Sequence, residues 1–340
     1  MRVTIKQIAQ ELGISHSTVS RVLNDKQSHL VSSTTRERIM EQAKRLGYRP
    51  NRLAQALQGA HTNLIGVVVP DEEDYFFQRV LKSLRHTVEG SDYELIVFAS
   101  SSAQILRKWH RLLEWDLDGV FAFDYMFYVD GLRQALTHHT GYIPPVVGLF
   151  SQHTQLQDYV THDFRPALLQ LLEQMRREGC RRFGYMGPAS SFQAGEQRYA
   201  VFSEYVGAQG LAQCDLPLER SGSLLEAGRE CVRRWLGGGQ SVPEALFCQN
   251  DEIALGAYRG LWEEGIGVPG EVLLAGCDDI PYVSYLETPL TSLYLPVEEV
   301  CREGWRLLQE RMAQPEGPPL RVVLPAELRL RASSQRNKPT

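Results

Sequence analysis

The segment Val3-Thr-Ile-Lys-Gln-Ile-Ala-Gln-Glu-Leu-Gly-Ile-Ser-His-Ser-Thr-Val-Ser-Arg-Val-Leu-Asn24 leaves few folds open. Ile5, Ile8, Ala9 and Leu12 recur at helical spacing, and Thr4 stands where a helix takes its N-cap. Gly13 follows, at a turn where a left-handed backbone costs least in glycine. Ser15 is then the N-cap of a second helix, whose Val19, Val22 and Leu23 face back onto the first. That leaves His16, Ser17, Ser20 and Arg21 outward, all short or basic hydrogen-bonders. Two helices joined by a glycine turn, with such a face, imply a helix-turn-helix that enters the DNA major groove. Thr18 completes the predicted contact set. A third helix is predicted from Ser32 to Arg45, with Ile39, Met40, Ala43 and Leu46 as its apolar stripe and Gly47 as its stop.

Charge follows the same division. Residues 1–60 hold 10 Lys/Arg against 4 Asp/Glu, whereas the whole chain holds 36 against 41. A basic head on an acidic body lets phosphate attraction orient the molecule without making its whole surface adhesive. The other reading of a basic stretch, a solvated face, does not account for the helical register or the turn glycine.

Beyond the third helix comes Tyr48-Arg-Pro-Asn-Arg-Leu-Ala-Gln-Ala-Leu-Gln-Gly59. Pro50 suits a first helical turn, but the residues after it make only about two turns. A helix that short needs DNA or a partner chain to persist. Leu57, apolar with little core nearby, has the character of a wedge between bases. An ordinary linker with helical tendency fits the same residues.

Residues 62–333 alternate strand-like and helix-like patterns. Strands are predicted at Leu64–Val69, Glu94–Ala99, Gly119–Phe123, Val146–Phe150, Phe183–Met186, Ala245–Cys248 and Val272–Gly276, with helices at Phe76–Val88, Pro166–Glu178, Tyr199–Ala208, Ala254–Glu264 and Val297–Met312. This alternation predicts two successive parallel sheets, each covered by helices, with a ligand between the carboxyl ends of their strands. The expected fold is an all-α helix-turn-helix head plus an α/β two-lobe core. The boundaries expected are a head over 1–49, a hinge or linker over 50–61, a core over 62–333 and a tail over 334–340.

Several chemistries lack their residues. There is no phosphate-binding Gly-Lys-Ser/Thr loop and no Gly-x-Ser-x-Gly nucleophile turn. His138-His139 has no spaced third ligand, and the six cysteines form no Cys-x-x-Cys pair, so buried reduced thiols are expected and no metal or cofactor. Asp278-Asp279 follows an apolar strand without a second activated group, which makes it a hydrogen-bond acceptor for a ligand. A hydrolase or a stand-alone binding protein on the same two lobes is the alternative. The first would need a nucleophile or metal set, and the second would not carry the helix-turn-helix. No run of eighteen apolar residues and no hydrophobic leader are present, so a cytoplasmic location is expected.

The head, Tyr48-Arg-Pro-Asn51 and Leu64-Ile-Gly-Val-Val-Val-Pro70 resemble the lactose-repressor/galactose-repressor family of bacterial transcription factors. So do Thr18-Val-Ser-Arg-Val-Leu-Asn24, Asn250-Asp-Glu-Ile-Ala-Leu-Gly256, Gly276-Cys-Asp-Asp-Ile280 and Pro289-Leu-Thr291, in order. The resemblance implies a core like that of periplasmic binding proteins, crossed three times by the chain: a near lobe of about 62–161 plus 291–322, and a far lobe of 162–290 plus 323–333. It also implies a homodimer on two-fold operator DNA, touching it through Asn51, Ala54 and Leu57 as well as the second helix. A sugar-like effector would contact Asp74, Phe76, Phe77, Phe150, Arg198, Asn250 and Asp278. Phe77 could equally be plain core, and Arg198 a surface ion-pair partner. Four departures from the family pattern, Asp71-Glu-Glu-Asp74, Phe150-Ser151, His162-Asp163-Phe164 and Leu295 where a glutamine is common, predict a more aromatic pocket than a simple hexose site. The terminal residues from Ala332 lack a leucine heptad, so no tetramer-forming coiled coil is expected.

Overall fold

The computed structural model describes residues 3–23, 30–48, 62–70, 75–100, 112, 115–123, 143–150, 156–192, 197–219 and 222–336. Its contacts divide the chain into two units, Met1–Leu64 with Asp116–Asp118, and the rest.

In the first unit, α1 spans Ile5–Leu12, α2 His16–Leu23 and α3 Ser33–Arg45. Thr4 caps α1 reciprocally: the Gln7 amide donates to its hydroxyl, and its own amide donates to the Gln7 side chain at 2.9 Å. Gly13 ends that helix at φ 65°, as its place in the sequence predicts. The Thr18 amide donates to the Ser15 hydroxyl at 3.1 Å, and Ser32 caps α3 in the same way. Ile8, Ala9, Val19, Val22, Val31, Ile39 and Ala43 form one small core. The stripe predicted on α3 needs one correction: Met40 is 55 % exposed, and Gln42 is buried instead. Met40 lies one residue, about 100° of arc, off the line through Ile39, Ala43 and Leu46. The Gln42 amide donates to the Glu11 carboxylate of α1, which satisfies it inside that small core. Thr62 and Asn63 both donate their amides to the Asp118 carboxylate, at 3.2 and 2.7 Å.

The second unit holds two six-stranded sheets. The near sheet is built from β1 (Leu64–Pro70), β2 (Glu94–Ser100), β3 (Gly119–Phe123), β4 (Val146–Leu149), β5 (Asp158–Asp163) and β11 (Arg321–Pro325), in the order β11-β5-β4-β3-β1-β2. The far sheet joins β6 (Arg182–Pro188), β7 (Ala212–Leu218), β8 (Ala245–Cys248), β9 (Leu273–Asp278), β10 (Thr291–Tyr294) and β12 (Glu327–Arg329), in the order β12-β10-β9-β8-β6-β7. Central strands pair in parallel and are buried along their length, as β3 is at all five positions. Helices α4 (Tyr75–Val88) and α9 (Val297–Ala313) pack together, and α9 also lies on β3, β4 and β5 of the near sheet. The far sheet is accompanied by α5 (Arg165–Arg177), α6 (Gln197–Ala208), α7 (Leu224–Gly237) and α8 (Asp251–Glu263).

The crossings fall later than the resemblance implied. Thr291–Tyr294 pairs with β9, so the chain leaves the far lobe after Tyr294, not before Thr291. It returns at Ala326, because Arg321–Pro325 still pairs with β5. A buried ion pair fixes this return. Arg311 of α9 grips Asp158 of β5 with two bonds, at 2.6 and 2.8 Å, and donates further to the carbonyls of Pro315, Gly317 and Pro318. At the far end, Ser333 and Ser334 are buried, and their hydroxyls hold Thr291.

Two sequence motifs owe their glycines to close approaches. A Cβ on Gly256 would overlap the Leu225 carbonyl of α7, so α7 and α8 touch backbone to backbone there. A Cβ on Gly276 would overlap the Asp251 carboxylate. Among the described residues no helix is long and apolar enough to cross a membrane, and no group of three or more His, Cys, Asp or Glu could hold a metal.

Candidate functional site

On α2, the side chains of His16, Ser17 and Arg21 are exposed, while Thr18 and Ser20 are half-buried at the margin of that face. Val19 and Val22 point into the small core, which sets the outward direction of the other face. The Ser15 hydroxyl lies 2.8 Å from that of Ser17 and 2.7 Å from that of Thr18, a cluster at the start of the helix. A helix that presents short hydroxyls and one arginine at its surface can read base edges and phosphates together. Asn51, Ala54 and Leu57 lie outside the described residues, as does Asp74.

In the core, the predicted effector residues divide by lobe, and most come together. Phe76, half-buried on α4, packs edge-to-face on Phe150 at 4.9 Å. Phe77 turns inward to Phe123 at 5.2 Å and is only 4 % exposed, so it is core. Phe150 closes β4 at φ 55°, an unusual backbone for a bulky residue. Its ring lies 5.8 Å from that of His162, which meets Phe164 edge-on at 4.1 Å. The guanidinium of Arg198 sits over the Phe164 ring at 5.1 Å and donates to the Gln249 carbonyl at 3.0 Å. Arg198 is therefore buried, not a surface ion-pair partner.

Asn250 follows Gln249 and caps α8: the Ile253 amide donates to its Oδ1 at 2.9 Å. That leaves the side-chain NH2 as the group it can offer elsewhere. Asp278 ends β9 at φ 108° and is buried. Arg79, which sequence reasoning did not single out, reaches from α4 to the Asp278 carbonyl at 3.4 Å, pairs with Glu298 at 2.8 Å and covers the Tyr294 ring at 5.4 Å. Nothing in a lone arginine on a helix marks it beforehand, since its partners lie some two hundred positions away.

Behind these groups lies Asp251, fully buried. Its carboxylate accepts from the Ser292 hydroxyl at 2.7 Å and from the Ile280 amide at 2.9 Å. Burial pushes its pKa up to about 8 despite those bonds. Asp279 donates its amide to Ser292 at 3.0 Å and pairs with Arg331 at 2.7 Å. Asp251 and Asp279 thus hold the loop that presents Asp278. The ring of His162 is 3 % exposed, and burial, reinforced by the charge of Arg198, holds its pKa down at about 3. The cysteines are all free, and burial raises the pKa of Cys180 and Cys231 to about 11.

Among the described residues the arrangement brings together an aromatic wall, a guanidinium, an amide and a carboxylate. Residues 4–51 match the family described as bacterial regulatory proteins, lacI family, and residues 172–334 match the periplasmic binding protein-like domain. Catabolite control protein A of Staphylococcus aureus (strain Mu50 / ATCC 700699) is 26 % identical over 337 residues, which cover 98 % of this chain and 100 % of that protein. A LacI-family transcriptional regulator from Silicibacter pomeroyi superposes with a TM-score of 0.81 at 27 % identity, covering 98 % of this chain and 100 % of the other. The transcriptional regulator CelR, solved as a cellobiose complex, does so with a TM-score of 0.66 at 25 % identity, over 98 % and 100 %. These relatives are regulators rather than enzymes.

Proposed function

This chain belongs to the LacI family of DNA-binding transcriptional regulators, with a core of the periplasmic-binding-protein kind, and we propose that it is a repressor whose operator affinity a sugar or related polar metabolite controls. The head over residues 1–49 reads DNA through His16, Ser17, Thr18, Ser20 and Arg21, and the 50–61 segment adds Asn51, Ala54 and Leu57. The core expected over 62–333 binds the effector and pairs two copies; Ser334 and Arg336 pack onto it through Thr291 and Glu178, so of the tail expected over 334–340 only the residues after Arg336 are left. A homodimer follows from the geometry of reading: one head contacts few base pairs, and a two-fold operator matches a two-fold protein. As a repressor of this kind it acts in the cytoplasm, where the DNA is.

The observation that carries the effector reading is the unbroken line Phe76–Phe150–His162–Phe164–Arg198, which runs from α4 and the near sheet to the far lobe and ends beside Gln249 and Asn250. An apolar wall opposite an arginine, an amide and a carboxylate suits a sugar ring, whose faces are apolar and whose rim is hydroxyl. The cellobiose complex of CelR is consistent with that class. The effector binds two lobe arrangements with different affinity, and that difference is what shifts the DNA-binding heads.

The test is a thermal-shift screen of purified protein against sugars, nucleosides and polyols. A ligand at about a hundred times its dissociation constant adds about 2.7 kcal/mol. Arg198→Ala or Asp278→Ala should abolish that shift and the ligand's effect on operator binding, while each variant stays folded, since each loses a polar contact worth about 1–3 kcal/mol. Unchanged ligand affinity in both variants would place the effector elsewhere. Turnover of any screened compound above buffer would favour the hydrolase alternative instead.

A further inference from the structure

His162 is a polar ring among apolar ones. It is the penultimate residue of β5 and shares a strand face with the buried Val160. Its ring neighbours are Phe150 and Phe164, neither of which can take or give a hydrogen bond. Among the described residues neither Nδ1 nor Nε2 has a hydrogen-bond partner, and both atoms are closed off from solvent. Buried imidazoles normally use at least one nitrogen, so an orphan pair signals a missing partner. Packing alone does not require a histidine here, because a phenylalanine would fill the same space with no polar atom left over. The orphan also lies where the aromatic wall meets Arg198, at the carboxyl end of the near sheet.

The kind of partner follows from the ring's own inventory. A neutral imidazole carries one donor and one acceptor, and a hydroxyl carries both as well. A carboxylate or phosphate would engage only the donor, and an ammonium only the acceptor. We propose that His162 is an effector-binding residue that donates from one ring nitrogen and accepts at the other from hydroxyl groups of an uncharged polyhydroxyl ligand, at the floor of the pocket lined by Phe150, Phe164 and Arg198. This rests on the reading of that pocket as the effector site. Burial and the charge of Arg198 together hold its pKa down at about 3, so the ring is neutral near pH 7. The ring of Phe150 flanks the imidazole at 5.8 Å and is the side chain that a ligand would have to displace to reach it.

The experiment is calorimetric titration of the full-length wild type, His162→Phe, His162→Leu and His162→Gln with D-ribose, D-glucose, D-galactose, cellobiose and myo-inositol. For each compound that binds the wild type, the Phe and Leu variants should bind at least about ten-fold more weakly, a change of about 1.4 kcal/mol. The thermal midpoint of the Phe variant should equal or exceed that of the wild type, since an unpaired polar group has left an apolar cluster. The Gln variant, which keeps a donor and an acceptor, should recover part of the affinity. In the wild type, the imidazole 15N resonances of His162 should move on saturation with the same compound, a readout that needs no variant to fold. Wild-type affinity in the Phe or Leu variant, or unmoved resonances at saturation, overturns the assignment of His162 alone. A wild type that binds none of the five compounds overturns the sugar reading of the pocket, and this proposal with it.

Discussion

Replacing Asp251 by asparagine should change how the stability of this protein responds to pH, and the structure sets the direction. The folded carboxyl is pushed by burial from its ordinary 3.8 up to about 8, while its bonds from Ser292 and Ile280 pull the other way. Between those two values the folded chain holds a proton that the unfolded chain has released. The stability Asp251 contributes is therefore fully present below pH 3.8 and is lost as pH rises towards about 8, by about 1.4 kcal/mol per pH unit. His162 acts in the opposite sense. Burial lowers its pKa from 6.5 to about 3, so its contribution is present above pH 6.5 and is lost as pH falls towards about 3, at the same slope. Between roughly pH 4 and 6.5 the two slopes cancel, and above that only the loss from Asp251 remains, about 2 kcal/mol by pH 8. In Asp251→Asn the amide is neutral throughout, so stability should climb from about pH 4.5 to 6.5 and then stay level. Urea unfolding followed by tryptophan fluorescence, for wild type and variant across about pH 4.5 to 8, reads the difference directly. Wild-type and variant curves that run parallel over that range would show that the buried carboxyl is ionised in the folded protein, and would refute the reasoning.

Three further outcomes follow from other parts of the molecule. Arg21→Ala should relax sequence preference, because a bidentate guanine contact is worth about 1–3 kcal/mol of discrimination; binding-site selection checks this, and unchanged selectivity would remove α2 from base reading. Arg311→Met leaves Asp158 buried without its guanidinium and should cost about 3–5 kcal/mol in urea unfolding, whereas the double variant with Asp158→Leu should recover much of that loss. Gly256→Ala should destabilise the core by about 1–3 kcal/mol, because its Cβ meets the Leu225 carbonyl; a thermal midpoint equal to wild type would mean that α7 and α8 do not touch backbone to backbone.

The legible parts of this chain are those whose signals are local. Thr4, Gly13, Ser15, Ser32 and Gly47 mark helix ends within a few residues of themselves, so the head can be read nearly residue by residue. Met40 escapes such reading, because a neighbour one residue from a stripe differs from it by an angle, not by chemistry. Edge elements resist such reading. Ala212–Leu218 contains Pro217 and alternates weakly, and it is a strand because β6 pairs with it along its whole length. Helix α7 contains Gly228, which resembles a breaker until α8 is seen pressed against it. The pocket lies between these extremes. Arg198, Asn250 and Asp278 are visible as polar residues at motif or strand ends, but Phe150, His162 and Phe164 acquire meaning only where β4, β5 and α5 converge. There a residue that looks like a departure from the pattern becomes a buried side chain whose hydrogen-bonding capacity no other described residue uses. A local pattern can say that a position differs from its relatives; only the packing around it says whether the difference faces core or ligand.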